Sequence, residues 1–155
     1  MMGNVWLNLE RSALRGMEAF GKRFGPGRRQ PEHLRAGRRG EMEALFFLRQ
    51  QGYVIVARRW RCTEERGDLD LVGWDGETLC FVEVKTRSAR ALVPAEISVD
   101  RDKQRMLRAM GRAYLRRMSR EERESVLTRI DVVSVYLPAS GVECELLRGA
   151  VKTTA

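Results

Sequence analysis

Histidine occurs once in this chain, at position 33, and cysteine three times, at 62, 80 and 144. The cysteines are odd in number and form no CxxC pair. Together these scarcities all but exclude a zinc site of the usual Cys/His kind, and Ser-His-Asp or Cys-His catalysis around any other histidine. Such cysteine usage fits a reducing cytoplasm. No apolar run approaches the roughly 18–20 residues that would span a bilayer. Low-complexity tracts and repeat periods are absent as well. What is present is a chain of 155 residues, 43% hydrophobic and 32% charged, long enough to bury a core as one domain.

The net charge of +8 is unevenly placed. Residues 1–40 hold nine lysines and arginines against three acids, so most of the excess lies in the first quarter of the chain. Charge distribution, and not the total, must therefore carry any argument for nucleic-acid binding. Within that quarter, Trp6, Leu9, Ala13, Met17, Phe20 and Phe24 recur at helical spacing, with Arg11, Arg15 and Lys22 between them. This is one apolar stripe of a basic amphipathic helix, without the h-region and cleavage site of a secretory signal. Three readings stand: a helix packed on the domain or on a protein partner, a helix lying on a membrane surface, or upstream sequence from a misplaced start codon. Gly25-Pro26-Gly27 breaks the pattern, and a basic linker is expected to run to about Gly40. Residues 1–36 thus read as an extension and linker, and 37–155 as the folded domain.

The spacing predicts a helix from Glu41 to Gln51 ending at Gly52, then a strand from Tyr53 towards Trp60. A turn through Thr63–Arg66 leads to strands Asp68–Trp74 and Thr78–Lys85 around Asp75-Gly76. Residues 86–98, with Pro94, read as a loop. Asp100–Met118 reads as a second helix, N-capped by Ser98 or Asp100. An acidic-basic segment at 120–127 precedes strands Arg129–Leu137 and Val142–Leu147. The order α-β-β-β-α-β-β predicts an α/β sandwich around a central mixed sheet flanked by helices.

The hairpin from Gly67 to Lys85 is the most informative stretch, because charges sit in strands of Leu, Val and Phe. Strand side chains alternate, so Asp68, Asp70 and Val72 share one face, and Phe81, Glu83 and Lys85 share another. With Asp75-Gly76 as a two-residue turn, Trp74 pairs with Glu77, Asp70 with Phe81 and Asp68 with Glu83. Asp70 and Glu83 are then diagonal neighbours, about 7–8 Å apart at Cα, able to reach one hard cation. A bulge or longer turn would change this register. Mg²⁺ or Mn²⁺ between the carboxylates would remove their repulsion, acidify a bound water and neutralise a phosphate. Lys85 would orient or deprotonate that water, or pair with the phosphate. The competing reading is a surface hairpin whose charges face water in salt bridges.

Two helices bear on that choice. Glu41 heads the core-facing stripe Ala44, Leu45 and Leu48, and Lys103 heads Leu107, Met110 and Tyr114. Either both look into the acidic pocket or both snorkel to solvent from helix ends. Arg101, Arg105, Arg108, Arg112 and Arg116 line another face of the second helix. That stripe is either a solvated face or a set of phosphate contacts suited to planar guanidinium groups. Trp60, among Arg58, Arg59 and Arg61, is read as core before base-stacking platform.

At these residues the chain resembles the YraN-like family of predicted endonucleases. More widely it resembles the PD-(D/E)-x-K superfamily of restriction-enzyme-like and Holliday-junction-resolvase-like nucleases. The matching text is Gly40-Glu41 with Ala44 and Leu48, then Gly67-Asp68-Leu69-Asp70-Leu71-Val72, then Phe81-Val82-Glu83-Val84-Lys85-Thr86-Arg87, with Lys103 and Asp131-Val132-Val133. The similarity covers about residues 37–148. It implies a restriction-endonuclease-like sandwich. It also implies that Asp70, Glu83 and the Val84 carbonyl bind Mg²⁺ or Mn²⁺, with Lys85 and Glu41 completing the catalytic set. Asp68 stands where glutamate is more usual, and Arg59 where asparagine is typical.

The expectation is a cytoplasmic, metal-dependent endonuclease hydrolysing phosphodiester bonds of DNA, with branched or structured DNA among its candidate substrates. Lys103, Arg87, Arg101, Arg105, Arg108 and Arg112 would bind the nucleic acid. The resolvase-like relatives suggest a homodimer. The alternative is a non-catalytic nucleic-acid-binding module on the same fold. A third reading is a scaffold or membrane-associated protein acting through the N-terminal helix.

Overall fold

A computed structural model describes residues 31–87 and 99–153. The chain divides into two units, Met1–Arg35 and Ala36–Ala155, and the second contains the sheet. Its elements are α1 (Glu32–Gln50), β1 (Val54–Trp60), β2 (Leu69–Asp75), β3 (Thr78–Arg87), α2 (Arg101–Leu115), α3 (Arg120–Ser125), β4 (Leu127–Tyr136) and β5 (Glu143–Val151). The amphipathic segment 1–24, the Gly25-Pro26-Gly27 breaker, Ser98 and nearly all of the expected 86–98 loop lie outside the described residues.

The five strands form one sheet in the order β1-β2-β3-β4-β5. The pairs β1–β2, β2–β3 and β4–β5 are antiparallel, and β3–β4 is parallel. The sheet is therefore mixed, as expected. The parallel pair β3 and β4 carries near-continuous apolar runs because both faces are covered. On β4 every residue from Ile130 to Tyr136 is buried. Edge strand β1 alternates exposed and half-buried positions, and its register shifts between Ile55 and Ala57.

Leu107 and Met110 of α2 are fully buried in a cluster with Val72, Leu79, Phe81, Ile130 and Val132. At Gly111 a Cβ would crowd the Phe81 ring, so glycine sets how closely α2 lies on β3. Gly40 does the same for α1: a Cβ there would overlap Thr86 Oγ1 and Cβ on β3. Residues alternate along β3, so Phe81, Glu83 and Lys85 share the face that meets α2, and Thr86 lies on the other. The two helices thus take up opposite faces.

Several boundaries differ from expectation. Helix α1 begins at Glu32, inside the expected linker. Helix α2 spans Arg101–Leu115, capped by Asp100 through a 2.8 Å bond from the Lys103 N–H. The segment after it contains a helix that periodicity missed, α3, too short to show an apolar stripe. Its signal was local: Ser119 and Glu122 form a reciprocal capping box.

The hairpin register is also different. Asp75 pairs with Thr78, Trp74 with Leu79 and Val72 with Phe81, so Gly76-Glu77 makes the turn. Gly76 has φ +59 and Glu77 does not share the positive φ, the pattern of a turn with glycine at its first central position. The slide is two residues, which leaves every side chain on its expected face.

Candidate active site

The β2–β3 ladder ends at Leu71↔Val82. Continued one residue further, that register would set Asp70 opposite Glu83 instead of diagonal to it. Here Asp70 Oδ2 accepts the Val84 N–H at 2.8 Å, a donor that the ended ladder leaves without a strand partner. In extended backbone the N–H and C=O of one residue point the same way, so the Val84 carbonyl is also turned towards the β2 side. Asp70, Glu83 and the Val84 main chain are therefore grouped where the two strands part.

Glu83 is buried, with 3% of its surface exposed. Lys85 Nζ lies 3.0 Å from Oε1 and Lys103 Nζ 2.8 Å from Oε2. The Lys103 contact is an ion pair without hydrogen-bond geometry, so Oε2 accepts no hydrogen bond. Asp70 is most affected by its surroundings: burial, then the Glu83 charge, pushes its carboxyl up to about 7. The Val84 N–H and Lys103 oppose that rise, and Glu41 adds a smaller push in the same direction. A half-buried acid beside a buried carboxylate holds its proton to a higher pH than an exposed one does.

Glu41 projects from α1, at the point where Gly40 lets the helix approach Thr86. Its Oε2 lies 3.6 Å from Arg59 Nε, and burial raises its pKa against the pull of that guanidinium. Arg59 has φ +47, the only positive φ of a non-glycine residue among those described. Asparagine tolerates the left-handed region better than arginine does, which accounts for the asparagine that the resemblance leads one to expect there.

The structure brings together Asp70, Glu83, Val84, Lys85 and Lys103, with Glu41 close enough to be felt by Asp70. It does not bring the arginines to this group. Arg101 and Arg112 are exposed, and Arg105 is paired with Asp102. Arg108 donates to the Lys152 carbonyl at 2.9 Å and to Gln104 Oε1 at 3.2 Å. Arg87 ends β3, with its Nε buried and unbonded. Asp68 pairs with Arg61 at 3.2 Å. Trp60 is half-buried against the core, edge-on to Tyr114 at 5.1 Å.

A second polar group had no clear sign in the sequence beyond an acid within a buried strand. Asp131 is fully buried and accepts from Arg129 Nε at 2.7 Å, Tyr53 Oη at 3.0 Å and Gly149 N at 2.8 Å. Arg129 also reaches Asp75 Oδ2 at 2.6 Å. Every one of these groups is satisfied within the fold, so the network is a brace. Nearby Cys80 is buried, which pushes its thiol up to about 12 and removes it as a nucleophile.

As to a metal, no group of three or more Asp, Glu, His or Cys side chains converges among the described residues. The oxygen set present is two carboxylates with one main-chain carbonyl. Mg²⁺ commonly takes one or two carboxylates and keeps several waters, so this donor set fits it better than zinc or calcium. Glu83 Oε2, one of these carboxylate oxygens, accepts no hydrogen bond, with the Lys103 ammonium as its ion-pair partner.

The fold and site define a mixed α/β domain with an acid pair and two lysines where a hairpin opens. Residues 40–135 match the family described as "Uncharacterised protein family UPF0102". A UPF0102 protein of Koribacter versatilis is 47% identical over 121 residues, covering 78% of this chain and 82% of the relative. One from Solibacter usitatus is 46% identical over 123 residues, covering 79% and 89%. One from Syntrophus aciditrophicus is 34% identical over 122 residues, covering 79% and 92%. This chain belongs to the UPF0102 family, to which the YraN-like resemblance pointed. No helix among the described residues is long and apolar enough to cross a membrane.

Proposed function

We propose that this chain is a metal-dependent endonuclease of the restriction-endonuclease-like kind, hydrolysing phosphodiester bonds of DNA. The observation that carries this reading is the half-buried Asp70 beside the buried Glu83, with Lys85 Nζ 3.0 Å from Glu83 Oε1. Asp70, Glu83 and the Val84 carbonyl would hold Mg²⁺ or Mn²⁺. When bound, the cation would acidify a water and offset charge on the scissile phosphate.

The remaining work falls to side chains of this chain. Glu83 holds Lys85 in place, and Lys85 is 30% exposed, so its ammonium can meet a water or a phosphate oxygen from solvent. Lys103 adds a second positive charge from the head of α2. Glu41 and Arg59 flank the same opening from α1 and β1. Exposed Arg101 and Arg112 supply phosphate contacts at the outer surface of α2, where guanidinium groups can hold the backbone.

A second reading is supported by one specific fact: Lys85 and Lys103 already neutralise Glu83 without any metal. On that reading the chain binds nucleic acid without cutting it. Supercoiled, linear, branched and single-stranded DNA, and RNA, incubated with Mg²⁺ or Mn²⁺, separate the two. The nuclease reading expects cleavage lost by at least about 100-fold in Glu83→Ala and Asp70→Ala. Cleavage that survives either substitution rules out this site. Retarded but uncut DNA supports the binding module, as does the same panel run as salt-dependent gel shifts.

A further inference from the structure

Buried polar atoms in folded proteins nearly always have a hydrogen-bond partner, so exceptions need a reason. Among the described residues three side-chain atoms are buried and unbonded: Glu83 Oε2, Arg87 Nε and Ser134 Oγ. They are not scattered. Glu83 and Arg87 share one face of β3 with Lys85 between them, and the parallel register sets Ser134 of β4 opposite Lys85. All three therefore lie along one strip, running from the acid pair past Lys85 to the end of β3.

The chemistry changes along that strip. Glu83 Oε2 can only accept, and it belongs to the candidate metal end. Arg87 Nε can only donate, and Ser134 Oγ can donate through a proton that no neighbour takes. With the Lys85 ammonium beside them, the far end offers donors and positive charge; the carboxylate of Glu145 on β5, opposite Ser134, takes the Tyr136 hydroxyl at 3.3 Å and leaves Arg87 Nε and Ser134 Oγ unbonded. A ligand satisfying it must bring acceptor oxygens and negative charge. A phosphate does both, and Arg87 and Lys85 partly reach solvent, so an anion has a way in.

We propose that Arg87 and Ser134 form an anion subsite that holds a second phosphate of the substrate, next to the one at Glu83 and Lys85. The proposal rests on the nuclease reading only for the word substrate, since an anion subsite can exist without cleavage. A contiguous phosphodiester would lie along β3, with successive phosphates placed by residues two apart on one strand face. Ser134 is a positioning residue here.

The test is calorimetric titration of the full-length protein, without divalent cation, with inorganic pyrophosphate and with a 5′-phosphorylated thymidine dinucleotide. Wild type is expected to bind both. Ser134→Ala and Arg87→Lys should each weaken binding by about tenfold, the loss of one hydrogen bond to a charged group. Because Ser134 Oγ bonds to nothing in the fold, Ser134→Ala should not lower the melting temperature. Wild-type affinity retained in both variants would overturn the proposal. So would failure of wild type to bind either probe, or a melting point lowered in Ser134→Ala, which would give the hydroxyl a structural role. Failure of the parent reading looks different: no DNA is cut with Mg²⁺, yet pyrophosphate binds and Ser134→Ala still weakens it.

Discussion

Lys103 sets its ammonium 2.8 Å from Glu83 Oε2, joining the first turn of α2 to the middle strand of the sheet. Helix packing and site electrostatics are thereby coupled through one ion pair. A buried carboxylate that loses a cationic partner is left with an uncompensated charge, although here Lys85 still holds the other oxygen. Lys103→Met should therefore lower stability by about 1–3 kcal/mol, less than full disruption of a buried pair. Glu83→Gln combined with Lys103→Met should lose less than the two single changes added together. Urea unfolding of the four proteins measures this, and strict additivity would show that the pair contributes nothing.

Asp70 makes stability depend on pH in an unusual direction for a carboxylate. Its folded-state value is raised to about 7, well above an unfolded aspartate, so between these values the folded state binds more protons. Its protonation thus stabilises the fold fully below about pH 4. That contribution, on the order of a few kcal/mol, is lost as pH rises from about 4 to about 7. Asp70→Asn should flatten this part of the curve and be the more stable protein at pH 8. Urea midpoints at pH 5 and pH 8 decide the matter.

The same proton must leave before a cation can bind. Apparent Mg²⁺ affinity should therefore increase from pH 5.5 to pH 8, with proton release on binding below about pH 7. Calorimetry in buffers of different ionisation enthalpy would detect the released proton. A pH-independent affinity would mean that Asp70 is not a ligand.

Gly40 and Thr86 should behave as a lock between α1 and β3. A Cβ at position 40 overlaps Thr86 Oγ1, so Gly40→Ala must shift α1 and move Glu41 with it. The expected loss is about 1–3 kcal/mol, the range for overpacking. Thr86→Ala in the same chain should restore much of it by removing the struck atoms. If the double variant is no better than Gly40→Ala, the clash is not the cause.

Asp131 should matter for stability and not for the acid pair. Removing it leaves Arg129 Nε and the Tyr53 and Gly149 donors without their acceptor, although Asp75 still pairs with the guanidinium, so Asp131→Ala should lose about 3 kcal/mol. Tyr53→Phe, which removes one of those bonds, should lose about 1 kcal/mol. Thermal unfolding of both variants, with pyrophosphate and Mg²⁺ titrations as controls, separates brace from site. A stable Asp131→Ala protein would overturn this assignment.

Periodicity alone located the sheet and α2, because period-2 and period-3.6 patterns are written in neighbouring residues. It also marked Glu41, Asp70, Glu83 and Lys103 as charges heading or interrupting apolar stripes. It could not place α3, whose apolar content is too low to show a stripe. Nor could it find the brace around Asp131, whose donors come from Tyr53 just ahead of β1, from β4 and from β5 at the far edge of the sheet.

What the sequence determined by itself is the alternation that puts Asp70, Glu83 and Lys85 on chosen strand faces, since strand side chains have a period of two whatever the register. The register itself was decided by the turn: Gly76, at φ +59, takes the first central position, and the ladder slides by two residues as far as its last pair, Leu71 with Val82. Only the folded chain decided that Lys103 reaches Glu83, and that Ser134 lies beside Lys85 with its hydroxyl unbonded. Those relations depend on how a helix crosses a sheet and how two distant strands align. Such long-range packing leaves no period in the sequence to read.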